Sequence, residues 1–200
     1  MNLDAATCDY CIGVQSQREQ IFGQLLALRC RRGEREAWRE LIAAWEPRLF
    51  YYIRRLVPQE SDAWDVLQQT WLGAFENIRS LGDTRLLATW LYRIARNKAI
   101  SHRRSRGARA AELTEIIGDP AAEDEPDTLE EFENAEAVHR AIDELSLAHR
   151  EALTLHFLQD LSLEQIADVL DVPVGTVKSR LHHAKRELKK VLEREVSRHD

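Results

Sequence analysis

Residues 162–190 read SLEQIADVLDVPVGTVKSRLHHAKRELKK, and this stretch decides the fold class. Ser162 and Gln165 stand three apart, the spacing at which a Ser side chain and a Gln side chain cap a helix start reciprocally. Ile166, Ala167, Val169 and Leu170 then give one short apolar helix. Asp171-Val172-Pro173 interrupts it, and a second helix is expected from about Val174 to Leu192. On that helix Val177, Leu181, Ala184 and Leu188 fall within about 60° of one another at 100° per residue, a seam for burial. Ser179, His182, His183, Arg186 and Lys190 lie opposite, with Lys178 and Arg180 on the flanks. Two helices joined by a tight turn, the second with a polar and basic outer face, form a helix–turn–helix suited to a DNA major groove. A cationic surface helix in an ordinary bundle is the alternative. His182 and His183 can bond base edges or phosphates, and no Cys or carboxylate stands at metal-ligand spacing from them.

The charge of the chain agrees. The 28 Lys and Arg against 34 Asp and Glu give a net charge of −6, but the signs are segregated. Eight basic residues and no acid lie between 85 and 110, namely Arg85, Arg93, Arg96, Lys98, Arg103, Arg104, Arg106 and Arg109. Eleven acids and no Lys or Arg lie between 111 and 137, and residues 173–190 return to a surplus of five positive charges. Two cationic modules joined by an acidic connector are expected, each module dense enough to seek a polyanion.

Upstream, apolar residues recur at helical spacing: Ile21, Leu25 and Leu28, then Trp38, Leu41, Ile42 and Trp45, then Leu49, Ile53 and Leu56. Gly33 separates the first two helices, Pro47 stands where a further helix can begin, and Pro58 ends it. Ser61 or Asp62 can cap a helix to about Ile78 that offers Trp64, Leu67, Trp71, Leu72 and Phe75 for burial. After a turn at 80–84, a long helix is expected from Arg85 to Ser105. Leu87, Trp90, Leu91 and Ile94 line its apolar side. Arg96 and Arg103 lie opposite, flanked by Arg93 and Arg104, with Asn97 at the border. Trp90 and Tyr92 are candidates for stacking on bases, although Trp90 lies on the apolar side. Gly107 closes this helix.

The whole reads as an all-α protein of two helical domains: a flexible extension over 1–18, an N-terminal domain over 19–107, an acidic linker over 108–136 and a C-terminal domain over 137–196. With 8 Gly, 5 Pro and no alternating pattern, no strand is expected. The apolar stretches are too short to cross a bilayer, the N-terminus shows no secretory pattern, and three Cys suit a reducing cytoplasm. The sequence holds no zincin, P-loop, nucleophile-elbow or dinucleotide motif, so neither an enzyme nor a cofactor is expected. Cys8 and Cys11 form one CxxC pair, a weak zinc or redox signal for which Cys30 is a conceivable third ligand.

Three stretches together resemble extracytoplasmic-function sigma factors of bacterial RNA polymerase. WLYRIARN at 90–97 resembles the family's helix that melts DNA and reads the −10 element. AWDVLQQTW at 63–71 resembles its polymerase clamp-binding helix, and PVGTVKSRL at 173–181 the start of its −35-reading helix. The resemblance runs from about residue 20 to 193, in the family's order. It implies that Asp65 and Gln68, with Trp64 and Gln69 beside them, meet the clamp of the largest polymerase subunit. Asn97 would hold a base flipped from the −10 strand, while Arg93, Arg96, Arg103 and Arg104 follow the strand. Lys178, Ser179, His182, His183 and Arg186 would read or grip the −35 element. It further implies binding to the polymerase β flap, a connector threaded along the RNA path, and control by an anti-sigma factor. Two departures stand out. Trp64 and Gln69 occupy positions where the family often has acids, which turns the expected docking more apolar. Ser80-Leu81-Gly82-Asp83 lacks the usual aromatic of the −10 pocket loop. A conventional helix–turn–helix regulator acting without polymerase is the rival reading.

Overall fold

A computed structural model of the protein describes residues 17–106 and 135–196. The Cys8-x-x-Cys11 pair, Gly107 and the acidic connector lie outside the described residues. All regular structure among the described residues is helical: α1 (Gln17–Arg31), α2 (Arg35–Leu56), α3 (Glu60–Asn77), α4 (Leu87–Ser105), α5 (Ala135–Glu144), α6 (Leu147–Leu153), α7 (Leu163–Leu170) and α8 (Val174–Val196). Short 3₁₀ turns at Ile78–Ser80 and Thr84–Leu86 join α3 to α4, so the expected single helix from Arg85 begins as α-helix only at Leu87. A π-helical turn, Thr154–Leu158, follows α6.

The helix–turn–helix forms as its residues dictate. The Ser162 hydroxyl accepts from the Gln165 N–H, and the Gln165 side chain accepts from the Ser162 N–H, so two otherwise orphaned donors are satisfied. Asp171 ends α7 in the left-handed region at φ 56°, a conformation that Asp tolerates better than most residues. The seam residues Val177, Leu181, Ala184 and Leu188 are all buried.

Other expectations are corrected. Pro47 starts no helix; it lies inside the unbroken 22-residue α2, on its exposed side. The N–H it lacks would have bonded the carbonyl four residues back, at Ala43, which is also exposed and can turn to water. Leu41, Trp45, Leu49 and Ile53 bury the opposite side and hold the helix together across the proline. Neither Ser61 nor Asp62 caps α3. The cap position is Gln59, without a side-chain bond, and Asp62 lies one turn inside, buried. Asp62 instead takes an ion pair from Arg106 at 2.5 Å, with His102 Nε2 at 3.4 Å, tying the start of α3 to the end of α4. On α1 the outward stripe is Ile21, Leu25 and Leu28, while Leu26, Ala27 and Cys30 face the core. Burial, only partly opposed by the Arg29 charge, pushes the Cys30 thiol up to about 11.

The two halves are not independent bodies with a core each. One buried cluster runs from Leu26, Leu41 and Leu49 through Leu67 and Leu91 into Leu147, Leu155, Ile166, Val169 and Val177. A smaller cluster, Ala141, Ile142, Leu145, Leu153, Leu188 and Val191, closes α5, α6 and α8 on one another. α7 packs on α4, and α6 on α2. The described chain is therefore folded back on itself, with the helix–turn–helix lying against the N-terminal helices.

Candidate nucleic-acid and polymerase interfaces

Three helix faces carry the residues singled out by the sequence. The first is on α3. Trp64, Asp65, Gln68 and Gln69 are all exposed. Leu67 is buried beneath them and Trp71 is half-buried, whereas Trp64, Leu72 and Phe75, all offered for burial by the sequence, are exposed at 41%, 62% and 64%. Trp64, Gln68, Leu72 and Phe75 fall on one side of the helix at about 100° per residue. The face is thus longer and more apolar than the four expected residues. Trp64 packs on Phe50 with ring centroids 4.1 Å apart, and Phe75 on Trp38 at 5.2 Å, both pairs tilted. Their rotamers are fixed by neighbours, which lowers the entropy lost when a partner covers them. The large apolar residues Trp64, Leu72 and Phe75, at i, i+8 and i+11, were visible in the sequence, but their spacing did not say which side would face inward.

The second face is on α4. The buried side is wider than Leu87, Trp90, Leu91 and Ile94. It includes Ala88, Tyr92, Ala95 and Ala99, while Trp90 and Ile94 are half-buried. Small side chains let α4 settle deeply among its neighbours. Gly73 of α3 does the same from the other side, its missing Cβ lying 3.4 Å from Ile94 Cγ2 and 3.5 Å from Lys98 Cε. Tyr92, offered as a base-stacking residue, is fully buried, edge-on to Tyr52 and Trp45, with its hydroxyl donating to Gln159 Oε1. Burial pushes its phenol well above the ordinary range. Arg93, Asn97 and Arg104 remain exposed and lie within about 40° of one another around the helix. Arg103 and Arg96 do not join them. Arg103 donates to the Leu56 carbonyl at 3.0 Å, which closes the end of α2. Arg96 pairs with Glu151 of α6 at 2.8 Å.

The turn before α4 is set by Asp83, which accepts from the Arg85 N–H and pairs with the Arg85 guanidinium at 2.8 Å. Those bonds hold its carboxyl below the usual range. Beside this turn lies a cleft of about 330 Å³ lined by Phe22, Trp45, Arg48, Thr84 and Arg85, with Gln165 of α7 on its rim wall.

The third face is on α8. Lys178 and Arg186 are exposed, and His182 and His183 are half-buried. The two imidazoles lie edge to face at 5.5 Å, and His183 stacks on His149 at 6.2 Å. His149 Nδ1 meets Glu187 Oε2 at 2.7 Å, so this row of rings is braced from behind the helix. Among the described residues no group of His, Cys, Asp and Glu is arranged to hold a metal ion. Ser179 is turned inward, buried, its hydroxyl donating to the Thr176 carbonyl at 3.1 Å. Arg180 is buried as well, with its Nε lacking a hydrogen-bond partner, and burial lowers its pKa against the pull of Glu151.

Comparison with known proteins closes the case on family. Residues 41–109 match Sigma-70 region 2 and residues 135–188 match Sigma-70, region 4. The RNA polymerase sigma-H factor of Pseudomonas aeruginosa is 35% identical over 180 residues, covering 85% of this chain and 93% of that protein. The ECF RNA polymerase sigma-E factor of Escherichia coli K12 is 31% identical over 177 residues, covering 84% and 92%. Among solved structures, CnrH in complex with the cytosolic domain of CnrY shares the fold at a TM-score of 0.63 and 24% identity, covering 86% of this chain and 97% of that one. The sigma factor RpoE in complex with the anti-sigma factor NepR from Bartonella quintana aligns at a TM-score of 0.59 and 25% identity, covering 78% and 96%. A chain whose described regular structure is all helical, with an outward α3 face and basic faces on α4 and α8, and matched along most of its length by such relatives, belongs to the extracytoplasmic-function sigma factors.

Proposed function

We propose that this sigma factor directs RNA polymerase core to its promoters through the three faces, one for the enzyme and two for DNA. It performs no chemistry itself. The α3 face, Trp64, Asp65, Gln68 and Gln69 extended by Leu72 and Phe75, docks on the clamp of the largest subunit, and the C-terminal helices meet the β flap. Lys178, His182, His183 and Arg186 engage the −35 major groove, where phosphate contacts set position and base edges set preference. Arg93, Asn97 and Arg104 receive the −10 strand. Capturing an unstacked base there offsets the few kcal/mol that unstacking costs. Tethering both elements to one polymerase raises their effective concentration, so neither contact needs to be tight alone. The protein acts in the cytoplasm, on the nucleoid when polymerase carries it. A regulator of the kind paired with CnrH and RpoE is proposed to control it.

The observation that carries this reading is the coexistence of an apolar docking face and two cationic faces on separate helices of one chain. Transcription by purified core polymerase on a genomic template tests it. Start-site-specific transcripts are expected with the protein and not without it. W64A and Asn97→Ala should separate two steps: the first weakening core binding at least tenfold, the second leaving core binding intact while suppressing strand opening. A chain that binds DNA as a dimer and adds no transcripts would favour the conventional regulator.

A further inference from the structure

Leu81, Leu86 and Leu87 frame the turn that leads into α4, and only two of them serve the core. Leu81 and Leu87 are each 3% exposed, whereas Leu86 is 45% exposed. The turn that carries Leu86 is held by its own bonds. The Asp83 carboxylate accepts from the Arg85 N–H, the Asp83 carbonyl accepts from the Leu86 N–H at 3.1 Å, and the Thr84 carbonyl accepts from the Leu87 N–H. At Gly82 an added Cβ would meet nothing within 4 Å, so the turn faces open space on that side. Leu86 is thus presented outward on a fixed support.

Carrying the 100° step of α4 back by one residue puts Leu86 within about 20° of Arg93, Asn97 and Arg104, the exposed row proposed above to receive the −10 strand. The other large apolar residues exposed among the described residues lie elsewhere, Ile21, Phe22, Leu25 and Leu28 on α1 and Trp64, Leu72 and Phe75 on α3. A leucine in such a row can bond neither phosphate nor sugar hydroxyl, and it gains only by being covered with apolar surface. In duplex DNA the base faces cover one another. They become available only where a base has left the stack. A contact with a bared face therefore favours the open strand over the duplex, and only such a difference shifts the equilibrium between them. Eleven positions separate Leu86 from Asn97, about 16 Å along the helix and at most about five base steps at ~3.4 Å each. The two residues serve different bases of one strand.

We propose that Leu86 is an apolar wedge for strand opening: it packs on the bared face of a base at the edge of the opened −10 segment and holds that base from restacking. Leu86 in this role deepens the promoter-opening reading above and depends on α4 being the −10 helix. Aliphatic side chains are suited to the task, because they fill the gap between base steps without a hydrogen bond to satisfy. The rigid turn matters equally, since a wedge that swung freely would lose in ordering what it gained in contact.

The test uses holoenzyme assembled from core polymerase and the full-length chain, on the strongest promoter mapped with the genomic template. Permanganate reactivity of unpaired thymines reads opening, with holoenzyme in excess so that binding is saturated. L86A and L86Q remove the apolar surface, and L86M keeps it. About half of the side chain is left to be covered, so L86A and L86Q are expected to lower the ratio of opened to closed promoter about fivefold. L86M should stay within twofold of wild type. Closed-complex binding at low temperature should not change. On the same promoter with a mismatched, pre-opened −10 segment, variants and wild type should give equal transcript yields. Opening by L86A equal to that of wild type overturns the wedge. So does an equal loss by L86A in closed-complex binding, which would place Leu86 in a groove of the duplex. If L86A loses helical circular dichroism or core binding, the contrast of L86Q with L86M decides in the same way. Wild-type transcription is scored separately: its absence removes the sigma-factor reading itself, whereas wild-type transcripts with undiminished opening by L86A remove the wedge alone.

Discussion

Removing Arg106 should cost more than removing Asp62, although the two share one ion pair. Asp62 is 7% exposed at its side chain and sits inside the first turn of α3, whereas Arg106 is 56% exposed at the end of α4. In D62N, Arg106 swings into water, and only the charge-assisted bond is lost. Screening of the exposed partner limits that loss to about 1 kcal/mol. In R106A the carboxylate remains buried without its main counter-charge. Stranding a buried charge costs about 3 kcal/mol, reduced here to about 2 because the His102 ring lies 3.4 Å away and can reorient. Urea unfolding followed by far-ultraviolet circular dichroism at pH 8 measures both, provided the slope of the transition is unchanged between variants. The double variant should resemble D62N rather than the sum of the two singles. An R106A less destabilising than D62N would refute the premise that burial of Asp62 sets the energetics of this contact. Additive effects would show that the pair is not coupled at all.

Leu91→Ala, at a fully buried position of α4, should lower stability by about 2–5 kcal/mol, and because the core is continuous both halves should unfold in one urea transition rather than two. His139, facing Tyr51 and Arg55 of α2 and Asp143 of α5, has its pKa lowered, first by burial and then by the Arg55 charge. The folded chain therefore binds that proton less readily than the unfolded chain. Stability is complete above about pH 6.5 and declines as pH falls below it; H139Q should flatten that decline in thermal melts between pH 7.5 and 5.5. In thiol titrations Cys30 should react with Ellman's reagent only after denaturant is added, because burial keeps the thiol protonated and covered; prompt reaction in a C8S/C11S chain would contradict its placement.

Local chemistry was the readable part of this sequence. Ser162, Gln165 and Asp171 fix the ends of α7 through bonds and backbone angles that depend on immediate neighbours, so their reading needs nothing distant. The outward side of α3 was legible only in part: Asp65, Gln68 and Gln69 are polar and mark it, whereas Trp64 was offered for burial by its periodicity and set on the docking face by the family resemblance alone. The inward turn of Arg96, Ser179 and Arg180 was not legible. A helical wheel assigns one buried side, and these residues are covered from a second direction by packing between halves far apart in sequence. The alanines at 88, 95 and 99 carried a trace of this, because small residues at i, i+7 and i+11 mark close approach. Ile21, Leu25 and Leu28 misled in the opposite sense. Periodicity identifies an apolar stripe without stating whether this chain or another molecule covers it.

The continuous core has a bearing on how such proteins can be recombined. Exchanging the DNA-reading C-terminal half between family members is an obvious route to rewired gene circuits. Here Leu155, Ile166 and Val169 share their burial with residues upstream of the connector. A graft that ignores these positions would leave both pieces with sticky, solvent-facing leucines and isoleucines. Matching the seam between donor and recipient, before matching the promoter, is the design rule that follows.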